Sequence, residues 1–182
     1  GYWISIFGNK TTLADNGTIN MTQIEQIAFM FMSDVNESIK VLKEYNVTHV
    51  VVFTTVYSSG DAAGYDAPYG EFGKFKWMIR IAQTVGNWSE SDFGNDTSSG
   101  TGWEWSERGK NTTLYLMMTY GKYMRQSVGD VSQDYINRVS YFYQEVYDKW
   151  AYFTSHFELV YYSKGPAVGN VYALVLVYEV KY

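Results

Sequence analysis

The strongest constraint on the fold is a change of hydrophobic period in the first third of the chain. Ile24, Ile27, Phe31, Val35, Ile39 and Leu42 recur three and four residues apart, the spacing of one helix face. Within a few residues the pattern gives way to His49-Val50-Val51-Val52-Phe53, a β-branched run too short for a helix and suited to a buried strand. A chain that switches period so abruptly must pack helices on a sheet. Thr22 and Glu25 have capping-box spacing, so the first helix is expected from Thr22 to about Tyr45. Further helices are expected over Phe72 to Val85 and from Thr112 or Thr113 toward Arg125. Val131 to Trp150 fits a helix by spacing and a strand by composition, and the helix is preferred. Phe157 to Tyr162 and Val171 to Tyr182 read as strands joined by the turn Ser163-Lys164-Gly165-Pro166. Residues 11–20, 58–73 and 86–109 read as polar, turn-rich loops. The expected fold class is α/β (mixed α+β): helices packed on a small mixed sheet with a C-terminal β hairpin, residues 1–182 forming one domain.

Composition narrows the function. The 182 residues include 34 aromatics, two Pro and no Cys. That excludes a disulfide scaffold, a thiol nucleophile and any thiolate metal site. Two His leave little for an imidazole-rich centre. A net charge of −5 argues against nucleic acid as a partner, since that needs a basic face. No apolar run reaches the length of a membrane span. The chain opens on Gly1, without Met, inside the apolar run Gly1-Tyr2-Trp3-Ile4, which reads as a piece of a larger protein.

Asparagine placement points to a cellular compartment. Of ten Asn, eight begin an Asn-x-Ser/Thr triplet: Asn9, Asn16, Asn20, Asn36, Asn46, Asn87, Asn95 and Asn111. Ser and Thr supply 29 of 182 residues, so chance would give about two such triplets. Turn and cap chemistry concentrates these residue types, but the excess favours exposure to an N-glycosylating compartment. Asn46, directly before the apolar strand, is expected to be the least accessible of the eight.

Several catalytic readings are weak. The glycine-rich stretch ending Gly73-Lys74 lacks the phosphate-loop pattern, with Pro68 at the first glycine position and Phe75 after the lysine. Trp103-Glu104-Trp105-Ser106-Glu107 sets two carboxylates among indoles, as a glycoside hydrolase requires, but solvated loop acids with Trp anchoring the loop to the core are the better account. His49 lies on an apolar strand and His156 opens a strand, neither beside a nucleophile pattern. Asp61 and Asp66 suit turn formation better than metal binding.

Two stretches carry a resemblance. Gly1-Tyr2-Trp3-Ile4 followed by Thr11-Thr12-Leu13-Ala14-Asp15-Asn16-Gly17-Thr18-Ile19-Asn20-Met21-Thr22 resembles the segment after the Trp-Trp-Asp-Tyr-Gly signature of the oligosaccharyltransferase catalytic subunit, the STT3/AglB family. Lys74-Phe75-Lys76-Trp77-Met78-Ile79-Arg80-Ile81-Ala82 is similar to that family's helix with the pattern Asp-x-x-Lys-x-x-x-Met/Ile. Glu71 stands where the family has Asp. Met78 and Ile81 also satisfy a Met-x-x-Ile variant, so both motif types remain open. Only Gly1 of the signature pentapeptide is present. Within that family the chain is expected to resemble the archaeal AglB branch.

The resemblance implies a C-terminal domain on the extracellular or lumenal face of a membrane enzyme. That enzyme would transfer a lipid-linked oligosaccharide to Asn in an acceptor polypeptide, with a divalent metal (Mn or Mg) and the lipid carrier held by a transmembrane part outside this chain. Gly1, Glu71, Lys74, Met78 and Ile81 would then border the pocket for the acceptor's Ser or Thr, and the fragment alone would be inactive. Lys74 and Met78 stand one helical turn apart, and Glu71 falls one turn before Lys74. Two other readings stay open: a cell-surface glycan-binding or surface-layer domain stacking sugars on Trp88, Trp103 or Trp105, and a self-contained hydrolase using Glu104 and Glu107.

Overall fold

Each change of hydrophobic period becomes a change of element, with one break inside the longest stripe. A computed structural model of the chain describes residues 2–14, 20–57, 71–97, 103–127, 147–163, 167–168 and 171–182. A short helix α1 (Tyr2–Gly8) precedes α2 (Met21–Met32) and α3 (Val35–Glu44). Strand β1 (His49–Tyr57) follows, then α4 (Glu71–Ile81) and α5 (Gln83–Gly86). A 3₁₀ turn (Glu90–Asp92), β2 (Gly94–Asp96), β3 (Trp103–Trp105) and α6 (Glu107–Lys110) lead into α7 (Thr113–Ser127). The chain closes with α8 (Tyr147–His156), β4 (Phe157–Tyr162), β5 (Ala167–Val168) and β6 (Val171–Val180). The class is mixed α+β, as expected, and the described strand pairings are all antiparallel.

The expected helix from Thr22 to Tyr45 is two helices. It stops at Ser33 because Asp34 caps a new one, its carboxylate accepting from the Glu37 N–H at 3.1 Å. The start also differs. Asn20, not Thr22, is the N-cap of α2, accepting from the Gln23 N–H at 3.2 Å. The expected helix over 72–85 likewise breaks at Ala82. The polar stretch 86–109 holds the β2–β3 ribbon and two short helical turns. His156 ends α8 rather than opening β4. The expected features over Ser58 to Gly70, Val131 to Val146 and the turn 164–166 lie outside the described residues, as do Gly1, Asn16, Asp61 and Asp66.

The larger sheet runs β1-β6-β4, with β5 folded back on β6. Register Val52↔Leu176 and Val50↔Tyr178 places alternate residues of β1 and β6 on one face. Val50, Val52, Leu174, Leu176, Tyr178 and Val180 are buried there, while Val51 and Phe53 on the opposite face are exposed. Helix α7 lies against the buried face, its residues from Thr113 to Thr119 all buried. Tyr178 donates its hydroxyl to the Met117 carbonyl at 2.6 Å across that interface. Gly121 allows the close approach: a Cβ there would sit 2.2 Å from Leu176 Cδ1. Among the described residues no helix is long and apolar enough to cross a membrane.

Candidate functional site

Helix α4 docks through one stripe. Phe75 and Ile79, with Ala82 just past the helix end, are buried and face the core. The rest of the helix divides into two flanks. On one, Lys76 Nζ donates to Asp96 Oδ1 at 2.5 Å, lies 3.8 Å from Glu90 Oε1 and sits 4.5 Å above the Trp103 ring. One turn on, Arg80 binds Glu90 at 3.0 Å. Phe75 packs between Trp103 and Trp105 with ring centroids at 5.0 and 4.5 Å. Trp88 donates its indole N–H to the Ile79 carbonyl at 3.0 Å. The segment after α4 thus grips the helix along its core stripe and one flank, which fixes its rotation.

The opposite flank carries the residues singled out from the sequence. Lys74 is exposed, and Met78 and Ile81 are half-buried, packed against the core edge without being sealed inside it. Glu71 contributes its backbone to the first turn of α4, and its side chain lies outside the described residues. Helical geometry therefore brings Lys74, Met78 and Ile81 to one side of α4. The residues missed from sequence are Lys76 and Arg80. Their four-residue spacing was a visible signal of a second polar flank.

The other candidates resolve into structural roles. Trp88 and Trp103 are buried and Trp105 half-buried, so none stands out as an open sugar platform. Glu107 pairs with Lys149 at 3.2 Å and Lys110 at 3.6 Å. The Lys149 hydrogen bond holds its carboxyl below the usual range, the wrong direction for a general acid at neutral pH. Glu104 is exposed on β3. His49 pairs with the Thr48 hydroxyl at 3.0 Å, and His156 Nδ1 lies 3.1 Å from the Lys181 carbonyl. Among the described residues no three His, Asp or Glu side chains converge as a metal site needs.

The described sequon asparagines mostly sit at helix ends. Asn20 is an N-cap, Asn87 and Asn111 are C-caps, and Asn9, Asn46 and Asn87 adopt the left-handed conformation at φ 48°, 52° and 47°. Asparagine tolerates that conformation better than other residues with a side chain. Asn36 accepts from the Tyr152 hydroxyl at 2.5 Å, and Asn95 is exposed on β2. Asn46, expected to be the least accessible, is exposed as well, because it turns out of the end of α3 before β1 begins. A cleft of about 750 Å³ opens beside the α2–α3 break, lined among others by Asn36, Trp88, Arg108, Asn111, Lys149 and Tyr152. No described side chain of α4 lines it. Among the described lining residues, Arg108 is engaged with Asp92 at 3.7 Å and Lys149 with Glu107.

No family model matches the chain. Comparison with curated proteins does find relatives. The chain is 33% identical over 123 residues to subunit STT3 of the dolichyl-diphosphooligosaccharide–protein glycosyltransferase of Saccharomyces cerevisiae, covering 64% of this chain and 16% of the yeast subunit. It is 31% identical over 123 residues to subunit stt-3 of Caenorhabditis elegans, with 66% and 15% covered. Against subunit STT3B of Oryza sativa it is 32% identical over 85 residues, with 47% and 11% covered. The chain is similar to STT3 subunits. It spans 16% or less of the length of these relatives.

Proposed function

We propose that this chain is the acceptor-reading domain of an STT3-type oligosaccharyltransferase, and that the Lys74–Met78–Ile81 flank of α4 borders the pocket for the Ser or Thr of an Asn-x-Ser/Thr acceptor. The observation that carries this reading is the similarity to STT3 subunits combined with a half-buried thioether one turn from an exposed lysine. Gly1 and Glu71 belong to the same proposal by resemblance. The lipid-linked oligosaccharide, the divalent metal and the transmembrane part are assigned to the remainder of the polypeptide. The extracellular or lumenal face is supported by the sequon excess, with exposed Asn9, Asn87 and Asn95 as the acceptors favoured on the folded domain. The archaeal AglB branch belongs to the same proposal by resemblance, while the relatives named above are eukaryotic.

The chemistry of the flank suits the task. A threonine methyl covered by Met78 would be removed from water, worth about 0.8 kcal/mol or roughly a fourfold preference for Thr over Ser. An unbranched, deformable thioether accepts both residues while rewarding the methyl. Lys74, a cation with three donors, can meet a carbonyl of the bound acceptor.

The test is a pair of acceptor peptides given to the full-length enzyme. Met78→Ala is expected to lower kcat/KM for the Thr acceptor roughly fourfold more than for the Ser acceptor. An unchanged Thr/Ser ratio removes Met78 from the pocket. Lys74→Ala is expected to lower use of both acceptors while leaving the melting temperature in place.

A further inference from the structure

Helix α4 carries a large apolar side chain that the fold does not use. Trp77 is 62% exposed, although it sits two residues from buried Phe75 and Ile79. At 100° per residue it projects nearly opposite the core stripe, on the rim of the flank formed by Lys74, Met78 and Ile81. The ring is nevertheless held. The Arg80 guanidinium lies 5.4 Å from its centroid, and Arg80 is itself fixed by Glu90 at 3.0 Å. Glu90 belongs to the 3₁₀ turn that also faces Lys76. A guanidinium tied to another element thus backs an indole that remains largely open to solvent. Such a ring contributes little to folding, and a rigid, amphipathic aromatic with few rotamers is the kind of side chain that anchors a bound polypeptide.

We propose that Trp77 is a specificity-determining contact for the acceptor polypeptide, packing against an apolar or aromatic residue that flanks the sequon. The inference rests on the reading of Lys74 and Met78 given above. Side chains at 77 and 78 diverge by roughly 10 Å at their tips, given helix geometry. An extended acceptor spans that distance in about three residues. Trp77 therefore reads a position about three residues from the hydroxyl amino acid, and a minimal acceptor tripeptide does not reach it.

The experiment uses the full-length enzyme with two acceptors: a capped Asn-Ala-Thr tripeptide, and a peptide of about nine residues carrying the same sequon between aromatic residues. Trp77→Ala is expected to lower kcat/KM for the long acceptor roughly tenfold more than for the tripeptide, chiefly through KM, with Trp77→Phe restoring most of the loss. Equal losses on both acceptors, no loss on the long one, or a rise confined to the KM of the lipid-linked donor would each overturn the proposal. Lys74→Ala is assayed beside it. A loss on both acceptors with Lys74→Ala but no selective effect of Trp77→Ala defeats only this inference. No effect of Lys74→Ala on either acceptor defeats the reading of the flank itself.

Discussion

At the scale of single residues, Tyr178 ties the sheet to the helix above it. Its side chain is fully buried, and its hydroxyl reaches the Met117 carbonyl at 2.6 Å. Burial pushes the phenol well above its ordinary value, because an anion there would lose its hydration. Tyr120, also raised by burial, adds to the effect by repelling a second phenolate. A group raised in the folded state stabilises fully below its unfolded value, near 10, and that contribution drains away as pH rises toward the folded value. Stability is therefore expected to fall above pH 10 more steeply in the native chain than in Tyr178→Phe. At pH 7 the phenylalanine variant is expected to cost about 1 kcal/mol, the worth of one buried hydrogen bond. Denaturant titrations at neutral and alkaline pH measure both. Equal slopes above pH 10 would mean that Tyr178 does not govern the alkaline limb.

At the scale of elements, the break between α2 and α3 decides how much of the molecule its sequence revealed. Ending α2 at Met32 orphans carbonyls, and two hydroxyl residues answer them. Ser38 donates to the Met30 carbonyl at 2.5 Å, the Thr113 N–H donates to the Ser33 carbonyl at 2.8 Å, and the two hydroxyls meet at 2.7 Å. Ser38 and Thr113 are also the hydroxyl residues of the Asn36 and Asn111 triplets, and both are fully buried. Helix caps and broken ends thus account for part of the sequon excess, the share that turn and cap chemistry was expected to supply. Ser38→Ala is expected to cost about 1–3 kcal/mol, since it leaves a carbonyl and the Thr113 hydroxyl short of partners, whereas exposed Asn36→Gln should stay within about 0.5 kcal/mol. Melting both variants as unglycosylated protein checks this, and equal losses would deny the buried bond its role. The break was hidden because Ile27, Phe31, Val35 and Ile39 keep their four-residue spacing straight across it. Asp34 and Glu37 did carry a start signal. The long strands were legible because period two survives over nine or ten residues, and so was the Lys74–Met78 flank, set by one helical turn. The ribbon of β2 and β3 was not, because three-residue strands are too short to show a period. The glycan-binding reading needs Trp88 and Trp103 at the surface, yet burial of an indole depends on partners elsewhere in the fold, such as the Ile79 carbonyl.

At the scale of the molecule, the described parts divide into a scaffold and a presented flank. The antiparallel sheet and α7 form the base, and the 3₁₀ turn with the β2–β3 ribbon grips α4 from one side through Lys76, Arg80 and Phe75. On the reading proposed above that arrangement would orient an acceptor, but glycan transfer to an amide needs more. The amide nitrogen is a poor nucleophile, and the departing phosphate must have its charge stabilised. Among the described residues, the two histidines contact a hydroxyl and a backbone carbonyl, and the acids on the ribbon side of α4 are committed to ion pairs. The chain also covers only 16% of the yeast subunit it resembles. The isolated chain is therefore expected to yield no glycopeptide when mixed with lipid-linked oligosaccharide, a divalent cation and a Thr acceptor, as read by mass spectrometry. The full-length enzyme should transfer under the same conditions and lose acceptor use on Lys74→Ala. Glycopeptide made by this chain alone would place the chemistry inside it and undo the division between reading the acceptor and modifying it.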